Sequence, residues 1–228
     1  MTLLSTTDFD AIRLSIQVAL VATVISLPFG FAVAYVMTYG RIRGRVALDV
    51  IVNLPLTLPP VVIGYLLLLA LGQQGLIGRY LLQPLGIRLL FTWKAAVVAT
   101  AIVGFPLLVR SIRLGMESID HRLVYAARSL GAGRFDAMVT VILPLSVRGI
   151  LAGSALMFAR GLGEFGATII VAGNIPGVTQ TIPLAIYEYA SSPSGDRLAM
   201  ALCAVSILIS VAVLLGHEYL GRRMTGKD

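Results

Sequence analysis

Two oppositely charged side chains stand inside an otherwise uncharged stretch of this sequence. Arg160 and Glu164 are the charged residues of the run 149–171. Residues four apart share a face of a helix and can form an ion pair. If the run crosses a membrane, each charge alone costs about 2.5 to 3.5 kcal/mol, which pairing or a wet cavity must offset. Two interpretations stay open: a structural pair inside a helical bundle, or a pair that lines a path for a charged solute.

Other site chemistry has little support in the sequence. His121 and His217 lie on different segments, and Cys203 is the one cysteine, so we predict neither a metal site nor a disulfide within the chain. No nucleophile and base can be placed together, so we predict no catalytic residues. No stretch has the Gly-x-x-x-x-Gly-Lys-Ser/Thr pattern of a phosphate-binding loop, so any energy from ATP must come from another chain.

The composition excludes an ordinary soluble domain. Of 228 residues, 57% are hydrophobic and 13% are charged, against about 25% charged residues in soluble domains. Long, nearly uncharged runs without the alternation of barrel strands predict membrane helices. We therefore expect an all-α membrane protein, a five-span helical bundle that forms a single domain over 1–228. The predicted spans are 14–40, 50–74, 91–113, 146–172 and 197–218.

The second span carries prolines in its early half. Pro55, Pro59 and Pro60 interrupt an apolar run, and a proline removes a helical hydrogen bond. Pro59 and Pro60 are therefore candidates for a gating break near a pore. The alternative is a kinked start of the span, which is common in membrane helices.

The distribution of basic residues predicts the orientation. The net charge is +7, and most Lys and Arg residues fall in 41–45, 110–148 and 222–227. The positive-inside rule then places the N-terminus outside and the C-terminus in the cytoplasm. Because topology accounts for most of the charge, we expect no nucleic-acid partner.

The segment 117–144 is predicted to lie on the cytoplasmic side and to contain a short amphipathic helix. Ile119, Leu123, Ala126 or Ala127, and Leu130 recur at helical spacing, and Gly131 can end the helix. Such a helix can lie on the membrane, pack on its own bundle or insert into a groove of a partner.

This segment resembles the signature of ABC-importer permeases. That signature is Glu-Ala-Ala, three residues, Gly, nine residues, Ile, any residue, Leu-Pro; here Tyr125 replaces the Glu and Val141 the Ile. The resemblance implies a coupling helix that sits in a cleft of a cytoplasmic ATP-binding subunit. The residues it assigns to coupling are Tyr125, Ala126, Ala127, Leu130, Gly131, Leu143 and Pro144.

Three further stretches extend the resemblance over nearly the whole chain. The run 159–168 is similar to permeases for molybdate, tungstate and sulfate, and 173–187 and 54–65 resemble the molybdate branch. The chain is identified as a member of the molybdate ABC-transporter permease subunits, with the type I importer fold. The loop 174–181, with a turn at Pro176 and Gly177, is either a tight connector or a contact for a binding protein or outer gate, through Asn174, Pro176, Gly177 and Thr181.

The resemblance implies an import permease for molybdate in the inner membrane. It implies a homodimer with one pore, two ATP-binding subunits that use ATP and Mg²⁺, and an extracytoplasmic molybdate-binding protein. No cofactor is expected on this chain. Alternatives are the same machinery carrying tungstate or sulfate, an ATP-independent channel or secondary transporter, and a membrane scaffold that docks a cytosolic protein.

Overall fold

A computed structural model describes residues 5–40, 43–82 and 84–223, and the regular elements in these ranges are helices. The predicted all-α class is therefore confirmed. Arg41 and Lys227, which contributed to the predicted orientation, lie outside the described residues, as do the side chains of Arg222 and Arg223.

Eleven α-helices are formed within the described ranges. In chain order they are α1 (Thr6–Tyr39), α2 (Arg45–Thr57), α3 (Pro60–Leu71), α4 (Trp93–Glu117), α5 (His121–Ser129), α6 (Arg134–Ala137), α7 (Leu143–Leu145), α8 (Val147–Leu162), α9 (Gly166–Ala172), α10 (Ile182–Ala190) and α11 (Asp196–Arg223). Two π-helical turns, Gly78–Leu82 and Met138–Ile142, complete the regular structure.

Three to five of these elements can cross a membrane. The helices α1, α4 and α11 are each long and apolar enough. Two bent units pass the same test: α2 and α3 meet at 111°, and the stretch Arg134–Leu145 meets α8 at 65°. Counting each bent unit as one span gives five, the number that the sequence predicts, although the second bent unit includes Arg134–Leu145, which the sequence analysis assigns almost entirely to the cytoplasmic segment 117–144.

Local sequence explains where these helices begin and end. Ser5 caps α1: its hydroxyl accepts the N–H of Asp8, and the Asp8 carboxylate accepts the N–H of Ser5 at 2.7 Å. Helix α3 begins with Pro60, which is favoured in a first turn because its missing N–H would have no helical partner there. Together with Pro59, it produces the break that the sequence predicts in the second span.

The core lies where α1, α4 and α8 pack on one another. Leu108, Ile112 and Met116 of α4 and Met157 of α8 are fully buried there. Helix α11, in contrast, leaves most of its apolar side chains exposed. The three packed helices thus form the rigid part of the chain on which the candidate sites are mounted.

The predicted fourth span, 146–172, is not one continuous helix. It ends as α8 at Leu162, and a new helix, α9, begins at Gly166. Apolar residues continue on both sides of the break, which consists of Gly163, Glu164 and Phe165, so the length of the apolar run does not reveal it.

Candidate functional site

Two helix breaks meet at the centre of the candidate site. A Cβ at Gly166 would lie 3.0 Å from Cβ of Pro60, and a Cβ at Gly64 would lie 2.8 Å from the carbonyl oxygen of Ala167. The starts of α3 and α9 therefore pack backbone against backbone, which only small residues allow. Pro60, taken from the second span, and Glu164, just ahead of α9, are brought into one region of the fold.

Glu164 occupies the break between α8 and α9. Its Oε2 lies 2.9 Å from Nη1 of Arg160, so the ion pair is present. The predicted reason, a shared helix face, is wrong, because α8 has already ended at Leu162. Instead, Oε1 of Glu164 accepts the backbone N–H of Ala167 at 2.9 Å, which satisfies a donor in the first turn of α9. One carboxylate thus holds the new helix and the arginine of the previous one.

The two members of the pair differ in exposure. The Glu164 side chain is 1% exposed, whereas that of Arg160 is 33% exposed. A carboxylate so deeply buried requires its partners, since an unpaired buried charge costs several kcal/mol. The arrangement presents the guanidinium to the outside of the chain and keeps the carboxylate within. Whether the pair touches a transported solute stays a prediction.

The loop 174–181 is largely satisfied by its own chain. It turns at Pro176 and Gly177, as predicted, and Gly177 has φ +74°. The side chains of Asn174 and Gln180 donate to Oε2 of Glu188 at 2.9 and 2.6 Å. Thr181 is buried and cannot reach a partner protein through its side chain, whereas Pro176 and Gly177 are exposed.

Helix α10, which follows the loop, is attached to α1. The N–H of Ile182 donates to Oγ of Ser15 at 2.7 Å, and the hydroxyl of Tyr189 donates to Oδ1 of Asp8 at 2.7 Å. The hydrogen bond to Asp8 raises the pKa of Tyr189 above its usual value. The residues in these contacts are more than 160 positions apart in the sequence, and no local motif predicts them.

The predicted coupling segment is folded but uncovered. The carboxylate of Asp120 accepts the N–H of Arg122 at 2.9 Å and caps α5, and Gly131, at φ +97°, ends it. None of the residues of α5 is buried. Of the other residues assigned to coupling, Leu130 is 89% exposed, while Leu143 and Pro144 lie in α7 next to the bend into α8.

Sequence reasoning missed the contact that attaches this segment to α1. The rings of Tyr39 and His121 meet edge to face at 5.9 Å, and the hydroxyl of Tyr39 donates to the carbonyl oxygen of Met116 at 3.2 Å. Tyr39 stands in the last turn of α1, so it links that helix to the end of α4 and the start of α5. Aromatic residues at the end of a span are the only hint of this in the sequence.

Residues 14–226 match the family described as binding-protein-dependent transport system inner membrane component. The chain belongs to this family. Members are multi-pass permeases of the inner membrane, and the polar break, the bent spans and the uncovered α5 are all placed within the matched residues.

Individual relatives cover nearly all of the chain. The molybdenum transport system permease protein ModB of Escherichia coli (strain K12) is 46% identical over 220 residues, which are 96% of each chain. ModB of Haemophilus influenzae is 47% identical over 220 residues, which are again 96% of each chain. The putative molybdenum transport system permease protein YvgM of Bacillus subtilis is 40% identical over 206 residues, 90% of each chain.

Solved structures share the fold at low identity. A bacterial alginate ABC transporter subunit aligns with a TM-score of 0.76 and 17% identity, over 98% of this chain and 81% of that one. A methionine ABC transporter in inward-facing conformations aligns with a TM-score of 0.71 and 15% identity, over 96% and 99%. The fold is that of a type I ABC-importer permease.

Proposed function

We propose that this chain is the membrane permease subunit of an ATP-driven importer of molybdate. The similarity to ModB of Escherichia coli carries the proposal, because 46% identity extends over 96% of both chains. It includes the two helix breaks and the coupling segment. The proposed cargo is a tetrahedral dianion. The net positive charge of the chain is opposite in sign to this anion, but it does not identify the cargo.

The proposed assembly is a homodimer with one pore between the two copies. Two ATP-binding subunits, which hold ATP and Mg²⁺, bind on the cytoplasmic side, and a molybdate-binding protein delivers the anion on the other. The proposal includes an N-terminus outside and a C-terminus in the cytoplasm. The docking of the ATP-binding subunits is supported by the uncovered α5, because the apolar Leu123 within it and Leu130 just beyond it are exposed and lie outside the described core.

The geometry suggests how a motion of α5 reaches the membrane. Three residues connect α5 to α4, and α6 and α7 connect it to α8. Helices α4 and α8 pack on each other, and α8 ends at the Glu164 break. Closure of the ATP-binding subunits would displace α5, carry α8 with it and change the angle at the break. Alternating access then follows if nucleotide and the loaded binding protein stabilise different states.

Within this mechanism the remaining candidates have separate roles. Pro59 and Pro60, of which Pro60 packs against the start of α9, form one side of a hinge along the translocation path. Arg160 and Glu164 brace its other side, with the guanidinium exposed toward the path. Exposed Pro176 and Gly177 contact the binding protein, and the hydrogen bond from Asn174 to Glu188 holds the loop that presents them, while Thr181 is buried behind it.

Reconstitution tests the proposal. The chain, its ATP-binding subunit and its binding protein are placed in proteoliposomes, and molybdate uptake is measured with and without ATP. We expect uptake that requires all three proteins and ATP. Equal uptake without ATP would indicate a channel or secondary transporter. The absence of molybdate flux under every condition would favour the alternative that the chain is a membrane scaffold that docks a cytosolic protein.

Competition decides the cargo. We expect a molar excess of sulfate to leave molybdate uptake largely intact and tungstate to compete. Complete inhibition by sulfate would assign the same machinery to a different oxyanion.

A further inference from the structure

A basic cavity lies between the end of α1 and the coupling segment. Its volume is about 690 Å³, within the range of roughly 300 to 1,000 Å³ that is typical of ligand sites. The side chains that give it chemical character are Tyr35, Tyr39, His121, Tyr125, Arg128 and Arg134. None of the described residues that line it is Asp or Glu.

The two arginines are not neutralised within the described part of the chain. Neither the Arg128 nor the Arg134 side chain has an ion pair or hydrogen bond there. A second cavity, of about 350 Å³, is lined by acids as well as arginines: Arg113 is held by Asp49 at 3.2 Å and by Glu117 at 2.7 Å, and Arg110 also lines this cavity. That cavity has its own acids, whereas the cavity of Arg128 and Arg134 lacks a counter-charge.

The walls of the cavity are built by aromatic packing. The ring of Tyr39 lies 5.5 Å from Tyr35 and 5.9 Å from His121. His121, Val124, Tyr125 and Arg128 occupy positions i, i+3, i+4 and i+7 of α5, so one face of this helix forms a wall. Leu123 and Leu130, which are outside the cavity lining, remain free for the ATP-binding subunit.

The cavity also lies at the end of a membrane helix, at the depth where lipid headgroups are found. Tyr35 and Tyr39 belong to the last turns of α1, the helix that spans the membrane, and α1 ends at Tyr39. Tyrosine is enriched at this depth, and basic pockets at the ends of spans bind anionic headgroups. Arginine favours phosphate oxygens because its planar group donates two parallel hydrogen bonds.

We infer that this cavity binds a phosphate group through Arg128 and Arg134, and that the source is the headgroup of an anionic phospholipid. The bound headgroup offsets part of the positive charge of the two arginines and ties α5 to the membrane surface. Because α5 is the proposed coupling helix, its position then depends on lipid charge. The inference concerns binding alone and holds whatever the cargo is.

Lipid retention on the purified full chain tests the inference. Native mass spectrometry in mild detergent measures the retention of phosphatidylglycerol and of zwitterionic phosphatidylcholine. Calorimetry with inorganic phosphate on the delipidated chain tests the soluble source. The variant is Arg128→Gln with Arg134→Gln. Its matched control is Arg43→Gln with Arg122→Gln, which removes the same charge from residues outside the cavity lining.

We expect the wild type and the control to retain phosphatidylglycerol in preference to phosphatidylcholine. The Arg128→Gln and Arg134→Gln variant should bind it about tenfold or more weakly, since charge-assisted hydrogen bonds are lost. A second variant with lysine at both positions should retain part of the binding, which separates loss of a site from loss of the fold. Equal losses in variant and control would overturn the inference. Arginine-dependent binding of inorganic phosphate without the lipid would overturn the lipid source.

Discussion

The two ends of the bundle, the loop 174–181 with α10 and the helix α5, differ in how far their side chains make contacts within the chain. In the loop 174–181 and α10, several polar groups find partners in the same chain: Gln180 donates to Glu188, and Ser15 accepts the N–H of Ile182. Oδ1 of Asn174 and Oγ1 of Thr181 are buried without a hydrogen-bond partner among the described residues. In α5 no residue is buried, and Leu130 beyond it is 89% exposed. The first region is held to α1 by contacts within the chain, with the tip of its loop at Pro176 and Gly177 exposed for a partner. The second has the surface of a region whose contacts come from another molecule.

This difference assigns different kinds of mutational effect to the two ends. Substitutions at the first end should lower the free energy of unfolding. Substitutions of exposed side chains at the second should leave the free energy of unfolding nearly unchanged and reduce binding of the ATP-binding subunit and uptake; Gly131, whose positive φ makes any side chain strained, is the exception. The predictions below compare the two ends on that basis.

Leu130→Glu should produce the largest effect. The side chain is exposed in the isolated chain, so the free energy of unfolding should hardly change. In the assembly, a carboxylate would enter an apolar contact without a partner, which costs several kcal/mol, so uptake should fall by more than about tenfold. Uptake and thermal unfolding in detergent are measured together, with Leu130→Met as the control. Wild-type uptake in Leu130→Glu would remove α5 from the coupling site.

Ser15→Ala tests the opposite end. It leaves the buried N–H of Ile182 without its acceptor, so the free energy of unfolding should fall by about 1 to 3 kcal/mol. Binding of the ATP-binding subunit should be unaffected. Ser154→Ala is the matched control, because the Ser154 hydroxyl donates only to Ile150 in its own helix. Equal destabilisation by both substitutions would contradict the claim that the hydrogen bond between α1 and α10 stabilises the fold more than a hydrogen bond within one helix.

Two glycines allow the same substitution at both ends. Gly131 and Gly177 have φ of +97° and +74°, and a Cβ at either would meet open space. Gly131→Ala and Gly177→Ala should therefore each cost about 1 to 2 kcal/mol through backbone strain alone. Only Gly131→Ala should weaken binding of the ATP-binding subunit, as measured by titration in nanodiscs. The same loss of binding in Gly177→Ala would contradict the division between the two ends.

Tyr189→Phe should have the smallest effect. It removes the hydrogen bond to Asp8, worth about 0.5 to 1.5 kcal/mol. Because the folded state raises the pKa of Tyr189, this contribution is complete below the unfolded pKa of about 10 and is lost as pH rises through the folded pKa. The difference in unfolding free energy between wild type and variant should be constant near neutral pH and shrink in alkali. A difference that grows in alkali would contradict the assigned contact.

Much of this fold could be predicted from the sequence, because uncharged runs mark membrane helices. The break at Pro59 was also predictable, since proline removes a backbone donor. The break at Glu164 was not, because apolar residues continue on both sides of it and the carboxylate that caps α9 looks like one half of a helical ion pair. Hydropathy reports which residues avoid water, but it does not report whether the helix is continuous.

The candidate sites divide in the same way. The coupling segment could be predicted because its amphipathic spacing and its turn at Gly131 are local. The partners of Ser15 and Tyr39 could not, since they depend on tertiary contacts with Ile182 and Met116 far along the chain. The cavity of Arg128 and Arg134 was likewise hidden, because its other wall comes from α1.

Hydrogen–deuterium exchange of the permease, alone and assembled with its ATP-binding subunit, tests the central claim most directly. We predict that the amides of 121–131 gain strong protection on assembly, while those of 174–181 keep the exchange rates of the isolated chain. Unchanged exchange in 121–131 would contradict the claim that α5 is the docking element of this permease.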